Sequence, residues 1–62
     1  RWAKGQRFDR RQATNYRGIN NYRGYRLNAP PRGYQWVQSG NDAVLIAITS
    51  GLIGAVIGNA IR

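Results

Sequence analysis

Residues 43–61 read AVLIAITSGLIGAVIGNAI, a run of 19 positions without one charge. Its reading decides the fold. A membrane-spanning helix needs about 20 apolar residues, and this run just meets that length. Gly54 and Gly58 would form a small-xxx-small face of the kind that pairs such helices. The competing reading is a β-hairpin. Thr49-Ser50-Gly51 interrupts the run at its centre, where a hairpin turns. Asn59 weakens the apolar run further, and the glycines and serine lower helix propensity. Residues 43–48 are rich in β-branched side chains, which suit a pleated surface. The hairpin is the better fit, with the spanning helix as the standing alternative.

Upstream, the pattern continues as strands. Tyr34-Gln35-Trp36-Val37-Gln38 reads as a strand with aromatics on one face. Ser39-Gly40-Asn41-Asp42 is a hairpin signal, because Gly and Asn tolerate positive φ. Pro30, Pro31 and Gly33 break the chain before it. Tyr and Arg alternate between Asn15 and Arg26 in a near-repeat of Asn-Tyr-Arg-Gly. Ile19, Tyr25 and Leu27 there fall on one face at period two. The expected fold is therefore mainly β: a small antiparallel four-stranded meander, with strands at about 19–27, 34–39, 43–49 and 52–58. Residues 1–18 read as a basic arm or short helix whose aromatics dock on the rest. Residues 19–62 read as the small β domain that ends in the apolar hairpin.

Charge divides the chain in the same way. Nine of the ten basic residues lie in the first 32 positions, Asp9 and Asp42 are the only acids, and the net charge is +8. Such a balance favours anionic partners, and also keeps an assembling protein soluble. Arg7, Arg10, Arg11, Arg17 and Arg23 are the expected contacts for anionic lipid or glycan. Aromatics interleaved with Arg also suit single-stranded nucleic acid, but packing of those rings in a small core is the stronger reading.

With no Cys and no His, disulfides and the usual zinc patterns are excluded. Thr14, Ser39, Thr49, Ser50 and the tyrosines have no base beside them in sequence, so an enzyme is not expected. No cofactor is expected either. The chain begins at Arg1 rather than Met, which fits removal of a secretion signal or a fragment.

Several stretches carry a family resemblance. Trp2-Ala3-Lys4-Gly5, Tyr25-Arg26-Leu27, Pro30-Pro31, Gly33-Tyr34, Trp36-Val37, Gly40-Asn41-Asp42, Val44-Leu45-Ile46 and Gly51-Leu52-Ile53 occur in this order. Together they resemble the pattern of the RcnB family, most specifically over residues 27–53. The resemblance implies a compact antiparallel sheet, which disfavours the spanning helix. It also implies a periplasmic or extracellular location with the signal peptide removed, and a link to nickel and cobalt homeostasis. The metal role transfers poorly to these residues. Nickel and cobalt favour imidazole, thiolate or clustered carboxylates, and this chain offers two isolated Asp residues.

The apolar hairpin carries a sharper expectation. Val44, Ile46 and Ile48 alternate with Leu45 and Ala47, so both strand faces are apolar. Ile53, Ala55 and Ile57 alternate with Leu52 and Val56 in the same way. A chain this short is expected to cover only one face, and the last strand would leave an open edge. Val44, Leu45, Ile46, Ile48, Leu52, Ile53, Val56 and Ile57 are thus the expected self-association surface, building a homo-oligomer that is open-ended in the filament reading. On this view Lys at position 46 or 57 breaks the assembly, while the same change at Gln35 is tolerated. The functional expectation is a non-enzymatic envelope or secreted protein acting by self-association and anionic contact. A structural subunit of an extracellular filament and a membrane-associated protein are the alternatives.

Overall fold

The computed structural model describes residues 2–13 and 15–61. Arg1, Thr14 and Arg62, which the arm and domain assignments include, lie outside the described residues. Four antiparallel strands, β1 (Arg17–Gly18), β2 (Tyr34–Ser39), β3 (Asp42–Ala47) and β4 (Ile53–Ile57), form one sheet in chain order. The meander expected from the sequence is the fold.

The β2–β3 turn is set locally. Ser39 lies opposite Asp42, leaving Gly40 and Asn41 as a two-residue loop, and Gly40 takes φ +60. A positive φ at the first central position alone matches a type II′ turn, whose twist suits the flanking strands. The uncharged run then folds back on itself. Gly51 N–H donates to the Ala47 carbonyl at 2.8 Å and Ala47 N–H to the Leu52 carbonyl at 2.9 Å. Val44 pairs with Val56, Leu45 with Ala55 and Ile46 with Ile53, so Gly54 is the extra residue of a bulge. A Cβ on Gly54 would stand 3.1 Å from Cε2 of Tyr34. The Tyr34 ring therefore lies over the bulge, in space that a side chain would fill.

The expected strand over residues 19–27 is a correction. Only Arg17–Gly18 pairs with β2, opposite Gln38 and Val37, and Ile19 N–H adds one bond to the Trp36 carbonyl at 2.9 Å. The chain then coils into a 3-10 turn, Tyr22–Tyr25, closed by Leu27 N–H donating to the Tyr22 carbonyl at 2.9 Å. Ile19 and Leu27 are buried but Tyr25 is exposed. The period-two face was a coincidence of spacing, because Asn and Gly at positions 18–24 favour local turns over a ladder. The ends of the other strands also differ: β3 stops at Ala47, and β4 spans Ile53–Ile57. In the arm, a single 3-10 turn, Arg10–Gln12, is capped by Asp9, whose Oδ1 accepts from Arg11 N–H at 3.0 Å.

A second correction concerns the faces of the sheet, because the chain covers both itself. On one face Trp36, Ala43 and Leu45 pack with Ile19, Leu27 and Ile61. On the other, Val37, Val44, Ile46 and Ile53 pack with Trp2, Phe8 and Tyr16 from the arm. The arm also lines the edge of β4. Gly5 N–H donates to the Ile53 carbonyl, Ile53 N–H to the Gln6 carbonyl, and Phe8 N–H to the Gly51 carbonyl, each at 2.8 Å. Trp2 Nε1 donates to Ser39 Oγ at 2.8 Å, which fixes the start of the arm above the end of β2. At the other terminus, Asn59 N–H donates to Asp42 Oδ1 at 3.0 Å and Ile61 N–H to the Asn41 carbonyl at 2.9 Å. These bonds tie the tail to the β2–β3 turn and seat Ile61 on the core.

Candidate functional site

The arm builds a basic concavity. Its pairing along β4 holds Arg7 and Phe8 in place, and the Asp9-capped turn brings Arg10 and Arg11 back over the same face. Trp2, Phe8 and Tyr16 form an aromatic row, with ring centroids 4.6 Å apart for the first pair and 5.7 Å for the second. With Ile46 they line a hollow of about 730 Å³ that Arg7, Arg10 and Arg11 also line. Arg11 Nε lies 3.4 Å from Asp9 Oδ1, and its side chain is 89% exposed. A pair this exposed is worth about 0–1 kcal/mol. It is the one ion pair among the described residues, so Arg7 and Arg10 have no carboxylate partner there.

Of the five arginines expected to meet anionic partners, these three share one hollow. Arg17 lines an adjacent one with Asn15, Tyr16 and Gln38, and Tyr16 belongs to both. Arg23 does not join them. It sits in the turn Tyr22–Tyr25, whose Tyr22 packs on the opposite face of the sheet.

The expected self-association residues divide by burial. Val44, Leu45, Ile46 and Ile53 are buried within the chain, and Val56 is half-buried. Ile48 at 61%, Leu52 at 46% and Ile57 at 44% exposure remain on the surface.

A groove on the face away from the arm had no counterpart in the sequence reading. It has a volume of about 570 Å³ and lies between residues 25–31 and 57–60, over Trp36, Leu45 and Ala55 of the sheet. Its walls are far apart in sequence, and no periodicity links them.

Nickel and cobalt, which the family resemblance implies, are not served by these residues. Asp9 Oδ1 accepts from Arg11, and Asp42 Oδ1 accepts from Asn59. One acid caps an arm turn and the other opens β3. Among the described residues no three of His, Cys, Asp or Glu gather. The donor set does not fit either metal, and a positive field opposes any divalent cation. Titration calorimetry of this chain with Ni²⁺ or Co²⁺ is therefore expected to show no saturable binding at micromolar metal. A saturable isotherm in that range would overturn this assignment.

Among the described residues no helix is long and apolar enough to cross a membrane. No curated protein and no solved structure gives a match to the chain. A family model does: RcnB, described as a nickel/cobalt transporter regulator, matches residues 5–55, and the chain belongs to this family.

Proposed function

We propose that this protein is a non-enzymatic member of the nickel/cobalt regulator family that acts by contact with anionic partners in the cell envelope and does not hold the metal itself. The carrying observation is the gathering of Arg7, Arg10 and Arg11 around the Trp2–Phe8–Tyr16 row, with one half-buried acid, Asp9, among them. Guanidinium groups pair well with phosphate and carboxylate, and the aromatic floor suits the apolar region next to an anionic head group. The periplasmic setting of the family supports lipid or glycan over nucleic acid. Two of the hydroxyls are engaged within the fold: Ser39 is buried and accepts from Trp2, and Ser50 Oγ accepts from Leu52 N–H at 3.3 Å.

Vesicles of phosphatidylglycerol test the reading. Each basic residue near an anionic surface contributes about 1 kcal/mol. Changing Arg7, Arg10 and Arg11 together to Gln is thus expected to weaken binding about hundredfold. Arg23→Gln alone should cost less than tenfold. Binding by the unsubstituted chain should fall steeply with salt, because exposed charges are screened over about 8 Å at physiological ionic strength. Equal binding at low and high salt, or by the triple variant, would overturn the role given to the arm.

A second reading, self-association, is favoured by the exposure of Ile48, Leu52 and Ile57. In this reading copies join through the β3–β4 hairpin and the outer end of β4, as an oligomer or a filament.

A further inference from the structure

We propose that the groove on the face away from the arm binds a single anionic amphiphile, with its aliphatic chain on Trp36, Leu45, Ala55 and Ile57 and its acidic head at Arg26. This site is separate from the arm hollow and stands independently of the function proposed above.

A volume of about 570 Å³ lies in the range of small-molecule sites, which are mostly apolar with a few placed polar groups. The floor is fixed before any ligand arrives, because Trp36 Nε1 donates to the Asn28 carbonyl at 2.8 Å and holds the indole in place. The outer wall is incomplete. The arm pairs with β4 at Ile53, and Ile57 at the far end of that strand stays 44% exposed.

Polarity then selects the ligand. Beside the apolar groove lies a more polar hollow of about 460 Å³, and Tyr25, Arg26, Asn59 and Ala60 line both. Arg26 therefore stands where the apolar and polar compartments meet. Neither acid lines either compartment, and the chain carries +8 overall. An anion at the junction gains a charge-assisted partner. A second copy of this chain would bring like charge instead.

The backbone at Arg26 supports the same assignment. Arg26 ends the 3-10 turn in the left-handed region, at φ 61. Gly adopts that conformation without strain, whereas a long side chain does so at a cost. Such outliers persist where the surroundings hold them and often mark ligand sites. Here the strained position falls on the one basic residue that lines the groove.

Decanoate is the probe. Trp2→Phe leaves Trp36 as the sole indole and keeps an aromatic ring against Phe8, so fluorescence then reports on the groove. The expected result is a saturable change in Trp36 emission below the micelle concentration, with the same dissociation constant by calorimetry on the unsubstituted chain. Arg26→Gly should bind about tenfold more weakly or worse, while melting no lower than its parent because Gly relieves the left-handed position. Decanol should bind more weakly than decanoate by a similar factor. The triple Gln variant at Arg7, Arg10 and Arg11 should bind decanoate normally, which separates this site from the arm. No saturable response, equal affinity in Arg26→Gly, equal affinity for decanol, or loss of binding in the triple variant would each overturn the proposal.

Discussion

Ile46→Lys is expected to unfold the protein rather than to release copies of it from one another. Ile46 is 8% exposed and packs with Val37, Val44 and Ile53, beneath Trp2 and Phe8. Truncating a buried Ile costs about 2–5 kcal/mol. A Lys there also needs its ammonium desolvated or the arm displaced. A core of this size rarely supplies more than about 3–5 kcal/mol. The two magnitudes are comparable, so the variant should lose its β-type circular dichroism and show no cooperative melt at room temperature.

Ile57→Lys is the informative contrast, because Ile57 is 44% exposed at the end of β4. It should keep the fold. If copies associate through that edge, light scattering should show smaller particles for Ile57→Lys than for the unsubstituted chain, with the β signal intact. A folded, monomeric Ile46→Lys would contradict the core described above. A stable unsubstituted monomer at high micromolar concentration would remove the self-association and filament readings and leave anionic contact standing.

Phe8→Ala is expected to detach the arm. Phe8 is half-buried between Trp2 and Tyr16, and its amide bonds the Gly51 carbonyl at the edge of the sheet. Full burial of Phe is worth about 3–5 kcal/mol on truncation to Ala, and partial exposure reduces this to roughly 2 kcal/mol. For a domain this small, each kcal/mol moves the melting midpoint by about 4–8 °C, so a fall of roughly 10 °C is expected. The arm's role also predicts where the change appears first. Hydrogen exchange at the Gly5, Phe8 and Ile53 amides, which bond across the arm–β4 edge, should speed up before exchange within β2 and β3. With the arm released, Val44 and Ile46 lose their cover, and dye binding to apolar surface should rise. An unchanged melt and uniform exchange would show that the arm does not hold this face.

β2 and β3 were legible because everything that sets them is local. Their side chains suit a pleated strand, and Gly40-Asn41 supplies a turn whose geometry its own residues permit. The same holds for the turn of the β3–β4 hairpin, where the run breaks at Thr49-Ser50-Gly51. The bulge at Gly54 was not legible, because it depends on the Tyr34 ring lying over β4. In the candidate site, the arginines were visible as a charge excess. Which of them meet was not visible, because Arg7 is placed by bonds to β4 whereas Arg23 rides on a turn beneath the other face.

The amino-acid sequence by itself determined that this chain is a β meander with a basic arm, because strand periodicity and turn chemistry act over a few residues. It also determined that both faces of the hairpin need cover, since Val44 and Ile46 point one way and Ala43 and Leu45 the other. Only the tertiary structure decided what covers them. Trp2, Phe8 and Tyr16 reach one face, and Ile19, Leu27 and Ile61 reach the other. These residues sit at irregular spacings in segments without regular structure. Burial depends on where a side chain lies in space, and a crossing segment carries no period that would announce it. An apolar strand face that looks unpartnered in sequence can therefore already be filled by its own chain.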